Sequence, residues 1–151
     1  SQIVDLYSVG VRDGPKRTSM PFICGIEVEG PRGELERVRA LEDDGAMVNA
    51  MCTDLYTSIR HRIGALQQSG RVLRMANGTL VPSKGYWEGH IRFGGARKWA
   101  SFEVFPSGGS WSFLFGKPLL ESFGAVHDYT NDTITVQGTS GPTVVLNRMG
   151  Q

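Results

Sequence analysis

The chain is short of most features that would announce a function at once. Its 151 residues include only two cysteines, Cys24 and Cys52, whose separation matches no zinc-ligand spacing. They read as buried free thiols of a reducing compartment. No apolar run nears the roughly 18 residues of a membrane span, and no signal peptide is visible. An excess of one charge is also missing. Sixteen Lys and Arg against 15 Asp and Glu leave a net charge of +1, so no global field draws the chain to nucleic acid or an anionic membrane. His61, His90 and His127 stand alone, without a second ligand three or four residues away. Gly108-Gly109-Ser110-Trp111 lacks the nucleophile-elbow pattern, and Gly94-Gly95 with Lys98 forms neither a phosphate loop nor a dinucleotide fingerprint. Neither a metal nor an organic cofactor is expected.

What is present is glycine (20) and proline (7), with no long helical periodicity, in a length that suits one domain. That combination predicts a mostly β fold with one or two short helices. Residues 1–20 are polar, with Arg12, Lys16 and Arg17, and are expected as an N-terminal extension, flexible or draped over the surface, ahead of a domain spanning 21–151. A start at Ser1 without Met reads as a piece excised from a longer polypeptide, or as a trimmed chain. Segments 21–29 and 34–41 flank a Gly-Pro-Arg-Gly turn as a hairpin. A short strand over 47–51 precedes a helix over 53–63, where Leu55, Ile59 and Ile63 recur at spacings of four. Strands over 71–76 and 79–82 flank Asn77-Gly78, a turn expected to put both residues at positive φ. Further strands are expected over 87–93, 98–105, 111–116, 132–136 and 143–146, with a short helix at 117–123. Trp87, Phe93, Trp99 and Phe102 fall at strand spacing and are expected in the core rather than on a nucleic-acid platform.

One stretch resists a packing explanation. In Leu41-Glu42-Asp43-Asp44-Gly45-Ala46, an apolar strand runs into three carboxylates and a glycine. Peptide hydrolysis by carboxylates needs two of them sharing one proton: one as base on a water, the other protonated and polarising the carbonyl. The glycine allows the tight turn that lets two such loops approach. Only one such loop lies in an apolar frame here, so the second would come from an identical chain across a two-fold axis. Surface turns use the same letters.

The wider frame adds to this. From about residue 21 to 136 the chain resembles the retropepsin family, the dimeric aspartic proteases of retroviruses and long-terminal-repeat retrotransposons, the gypsy-type elements most of all. Ala40-Leu41-Glu42-Asp43-Asp44-Gly45-Ala46 is similar to the family's Ala-Leu-hydrophobic-Asp-Thr/Ser-Gly-Ala. Met75-Ala76-Asn77-Gly78-Thr79 sits where the family has its flap hairpin, and Phe113-Leu114-Phe115-Gly116 with Lys117-Pro118-Leu119-Leu120 resembles its second, glycine-ended motif and short helix. Ala125 to Tyr129 and Thr133 to Val136 read like the family's final strands.

The resemblance implies a closed, orthogonally packed β-barrel that is homodimeric when active. Asp43 would be catalytic, with Asp44, Gly45 and Ala46 forming the loop and dimer contact. Ala76, Asn77, Gly78 and Thr79 would cover an extended polypeptide, and Leu114, Phe115 and Gly116 would be the structural second motif. The implied substrate is a Gag-Pol-like polyprotein, cut in the cytoplasm or within virus-like particles, with no membrane or nucleic-acid partner. Two residues depart from the pattern. Asp44 replaces a hydroxyl that both donates and accepts, and Glu42 replaces an apolar residue. Crowded carboxylates should titrate above their usual range, so dimerisation and activity are expected to favour acid. Three rivals remain: a proteolytically inactive dimerisation or peptide-binding module; a related eukaryotic family with this fold in a ubiquitin-linked shuttle protein; and a nucleic-acid-binding β domain resting on Arg12, Lys16, Arg17 and Arg97-Lys98.

Overall fold

A computed structural model of the chain describes residues 2–7 and 19–150. The basic part of the expected extension, Arg12, Lys16 and Arg17, lies outside the described residues. Its first residues do not drape over the surface: Gln2–Asp5 form a strand, β1, and Leu6 behind it is fully buried.

Period-two alternation sets out the main sheet. β2 (Phe22–Glu29) buries Phe22, Cys24, Ile26 and Val28 and turns the residues between them outward. A turn closed by Gly33 at φ 85° returns the chain as β3 (Leu35–Glu42), paired with β2 along its whole length. β4 (Ala50–Cys52) is wholly buried and leads into α1 (Thr53–Ile63), whose first turn is capped by the Cys52 thiol. Helix α1 buries Tyr56, Ile59 and Ile63; Leu55 is only partly covered, because the buried stripe follows a spacing of three and four.

β5 (Arg71–Arg74) and β6 (Leu80–Pro82) form the next hairpin, followed by β7 (Gly85–Phe93) and β8 (Ala96–Phe105). β9 (Phe113–Phe115) precedes α2 (Lys117–Ser122), and a final meander comprises β10 (Val126–Asp128), β11 (Thr133–Gly138) and β12 (Gly141–Leu146). A single 3-10 turn, Arg148–Gly150, follows.

Six strands close a barrel in the order β2-β3-β9-β4-β8-β7. β9 is inserted between β3 and β4, parallel to the first and antiparallel to the second. It therefore stands between the two strands that flank Asp43. The barrel holds one apolar cluster, with Ile26, Ile91, Phe102, Phe113 and Phe115 at its centre. A second cluster joins Leu6, Ala46, Val48, Leu73, Phe105 and Leu114. β1 pairs in parallel with β5 and so completes a three-stranded sheet beside the barrel. Both cysteines are buried free thiols, and burial pushes Cys24 up to about 12, so it serves as packing.

Two local expectations are corrected. Gly78 alone takes positive φ, 86°, in the hairpin at 75–79; Asn77 does not. Gly78 N–H donates to Met75 O at 2.9 Å and Met75 N–H to Thr79 O at 2.8 Å, which makes a three-residue loop with one left-handed glycine instead of a two-residue turn. Trp99 is 58% exposed, whereas Trp87, Phe93 and Phe102 are buried as expected. On β8 the even-numbered Ala100 and Phe102 face inward, and the alternation puts residue 99 outside.

Leu6 makes the docking of the first strand measurable. Leu6→Ala empties a fully buried site and should lower stability by about 3 kcal/mol in urea unfolding. A change below about 0.5 kcal/mol would mean that β1 contributes nothing to the fold.

Candidate active site

The loop after β3 is held by backbone bonds from three directions. Asp43 N–H donates to Phe115 O at 2.9 Å, Lys117 N–H to Ala46 O at 2.9 Å, and Met47 N–H to Leu6 O at 2.6 Å. Within the loop, Gly45 N–H donates to Asp43 Oδ1 at 2.9 Å and Ala46 N–H to Asp43 O at 3.2 Å. A carboxylate oxygen fixed by the amide two residues on is an Asx turn, and the Asp43 carboxyl is thereby given one orientation. A Cβ on Gly45 would lie 3.1 Å from that same oxygen, so glycine leaves room for the carboxylate to fold back.

The Gly116 motif is the floor of this loop. Leu114 and Phe115 are fully buried, and a Cβ on Gly116 would stand 2.3 Å from Val48 O. No side chain fits between α2 and the returning loop. Asn49 locks the junction: its Oδ1 accepts from Gly116 N–H at 3.2 Å and Leu119 N–H at 3.1 Å, and its Nδ2 donates to Ser101 O at 3.3 Å. Asn49 was not foreseen as a site residue. A single amide inside the apolar run Met47 to Met51 was the available signal.

The hairpin at 75–79 is tied to the loop through the first strand. Leu6 N–H donates to Arg74 O at 3.0 Å while Leu6 O receives Met47 N–H, so one residue links the hairpin's base to the Asp43 loop. Ala76, Asn77, Gly78 and Thr79 at its tip are exposed, as is Leu80.

A polar cluster closes the other side. The turn from β10 to β11 brings Tyr129 O–H to Asp44 Oδ2 at 3.3 Å, with the Tyr129 ring stacked on His127 at 4.0 Å. His127 Nε2–H donates to Asp132 Oδ1 at 2.9 Å, because Asp132 is an acceptor only: bonds from Asn147 and His127 hold its carboxyl below its usual range. His127 Nδ1 faces Glu42 Oε2 at 3.7 Å. Asn147 ties the cluster to the start of β2, donating to Asp132 Oδ2 at 2.6 Å and Pro21 O at 3.0 Å. Asp132 adopts φ 52°, a left-handed geometry that Asp tolerates better than most residues.

Glu42 is the anomaly within this cluster. Its side chain is 8% exposed, and burial pushes its carboxyl up to about 7; the charges of Asp44, Asp43 and Asp132 add to the rise, and His127 opposes it. Three acidic side chains and one imidazole thus surround a carboxyl that is half protonated near neutrality.

No protein-family model and no curated protein sequence matches the chain. Among solved structures it is similar to the retroviral protease-like domain of Ddi1 from Leishmania major, with a TM-score of 0.58 and 10% identity over 86% of this chain and 96% of that one. At that identity the likeness is one of fold. The chain has a retropepsin-like β-barrel fold.

Because folding raises the Glu42 value above its ordinary 4.5, the fold favours the protonated form. Its contribution is complete below about pH 4.5 and is lost as pH rises through 7. Wild type should lose about 2 kcal/mol between pH 5 and 8, while Glu42→Gln should flatten that slope. Equal slopes for the two proteins in urea unfolding at both pH values would refute this.

Proposed function

We propose that the chain is an aspartic endopeptidase of the retropepsin type, working as a homodimer with one Asp43 from each protomer. The observation that carries this reading is the Asp43-Asp44-Gly45 loop itself, with Asp43 oriented by Gly45 N–H and seated on the Gly116 motif. The retropepsin-like fold supports it.

In the dimer two Asp43 carboxyls share one proton. The ionised one takes a proton from water as the oxygen attacks the peptide carbonyl; the protonated one hydrogen-bonds that carbonyl and stabilises the charge forming on it. Collapse of the tetrahedral intermediate returns a proton to the departing amine and regenerates the pair. Backbone groups of Gly45 and Ala46 hold the substrate chain in extended form. Ala76 to Thr79 close over it, excluding bulk water from the dyad.

The outer face of the β10–β11–β12 sheet suits the pairing. Val126, Thr135 and Val144 stand side by side across it, with Leu146 next along, and the three apolar residues are 56–65% exposed. The sheet is tied to the loop through Tyr129 and Asp44, so a second copy seated here lies near the carboxylates. The proposed substrate is a Gag-Pol-like polyprotein of a gypsy-type retroelement, processed in the cytoplasm or within a virus-like particle.

A second reading is an inactive dimerisation or peptide-binding module. It draws on Asp44, which stands where a hydroxyl would donate and is engaged by Tyr129.

Cleavage of a peptide library at pH 5 and pH 7 separates the two. Asp43→Asn should abolish turnover by roughly a thousandfold or more. Val144→Asp with Leu146→Asp should shift sedimentation to the monomer and remove cleavage with it. Turnover unchanged in Asp43→Asn would overturn the assignment, and a stable dimer without turnover in wild type would favour the binding module.

A further inference from the structure

The sequence contains no basic run, yet the fold gathers five arginines from four separate elements. Arg37 and Arg39 on β3, Arg92 on β7, Arg97 on β8 and Arg148 after β12 line one open concavity of about 670 Å³, in which Glu27 is the only acidic residue among the described residues. The register explains the assembly. Glu27 lies opposite Arg37 on one side and Arg92 on the other, and Arg92 lies opposite Arg97, so a single row crosses four strands. Arg39 stands in the next row, opposite Gly25.

Two features make this more than a solvated face. Glu29 beside the row accepts from Arg97 Nε at 2.8 Å and Arg92 at 3.4 Å, and His90 Nδ1 lies at 3.8 Å. The Arg97 bond holds that carboxyl below its usual range, and its side chain is only 12% exposed. Glu29 therefore fixes two half-exposed guanidiniums and leaves their other N–H groups for a ligand. Arg37, Arg39 and Arg148, in contrast, form no ion pair with any described residue. The Arg39 guanidinium meets the Met149 sulfur at 3.6 Å. The Arg148 guanidinium lies over Gly25, where a Cβ would come within 3.2 Å of its Cζ, so glycine lets it lie against the strand. Guanidiniums gathered without enough carboxylate repel one another, and an anion relieves the repulsion. Their planar forks match phosphate.

Trp99 decides the class of anion. It projects from the same face of β8 two residues beyond Arg97, about 7 Å along the strand. Its indole is 58% exposed and is met edge-on by His90 at 4.9 Å and 82°. An open aromatic face beside an arginine-lined groove fits a base with its phosphates; an acidic peptide would leave the indole unused. We propose that the outer face of β3, β2, β7 and β8 binds single-stranded nucleic acid, with phosphates among Arg37, Arg39, Arg92, Arg97 and Arg148 and a base on Trp99. The proposal holds whether or not the Asp43 loop is catalytic.

The test is fluorescence anisotropy with a labelled 12-nucleotide oligouridylate at 50 and 200 mM salt, with tryptophan emission recorded alongside. Trp87 and Trp111 are buried, so quenching reports chiefly on Trp99. Binding should weaken roughly twentyfold across that salt step, as about three phosphate contacts require. Arg39→Ala with Arg148→Ala, both exposed positions, should weaken it about tenfold and lower the salt slope, with an unchanged thermal melt. Trp99→Ala should weaken it at least fivefold. Absence of binding at 50 mM salt, or affinity indifferent to these substitutions, would overturn the proposal. So would polyglutamate bound as tightly as the oligonucleotide, without quenching.

Discussion

Everything at the candidate site depends on how one short loop is clamped. Residues 43–47 leave β3 and hang from three backbone partners that are distant in sequence: Phe115, Lys117 and Leu6. Each bond satisfies a polar group in a place sealed by Ala46, Val48 and Leu114. The bond from Asp43 to Phe115 requires β9 to lie between β3 and β4; the bond to Leu6 requires the first strand to dock. The barrel's topology and the orientation of one carboxyl are therefore the same constraint, expressed at two scales. Gly116 is where it is tightest, since a single added carbon would strike the Val48 carbonyl.

The acids beside the clamp set its electrostatic character. Glu42 lies at the end of β3, beyond the buried Val38 and Ala40 of the same face, with Phe22 and Phe115 as its strand neighbours. Burial there favours its neutral form, and His127, held in place by its bond to Asp132, is the neighbour that eases the charge. Asp44, by contrast, is exposed, and its oxygen is met by Tyr129. The two departures from the retropepsin pattern thus have different physics: one is a buried group held near its titration point, the other a surface acceptor given a donor from a neighbouring turn.

Local patterns made most of the strands and both helices legible, because period two and period 3.6 are written in adjacent residues, whereas the reading of Asp43 as catalytic rested on the resemblance to a retropepsin motif. What escaped reading depends on partners far away along the chain. Gln2-Ile3-Val4-Asp5 is too short to declare itself, and its parallel partner begins at Arg71. Asn49 and His127 look like ordinary polar residues until the loop and the last sheet are folded around them. Trp99 has the composition of a core residue, and only the phase of the β8 alternation puts it outside. The arginine face is the extreme case, since its members span residues 37 to 148 and the net charge conceals them.

Whether two of these clamped loops meet to form one site shows in the stoichiometry of a bound ligand. Calorimetric titration at pH 5 with a hydroxyl-bearing peptide analogue of the tetrahedral intermediate tests it directly, because such a ligand is held by both carboxyls at once. Saturation is expected at one analogue per two chains, with no binding to Asp43→Asn. Saturation at one per chain, or equal binding to Asp43→Asn, would contradict it.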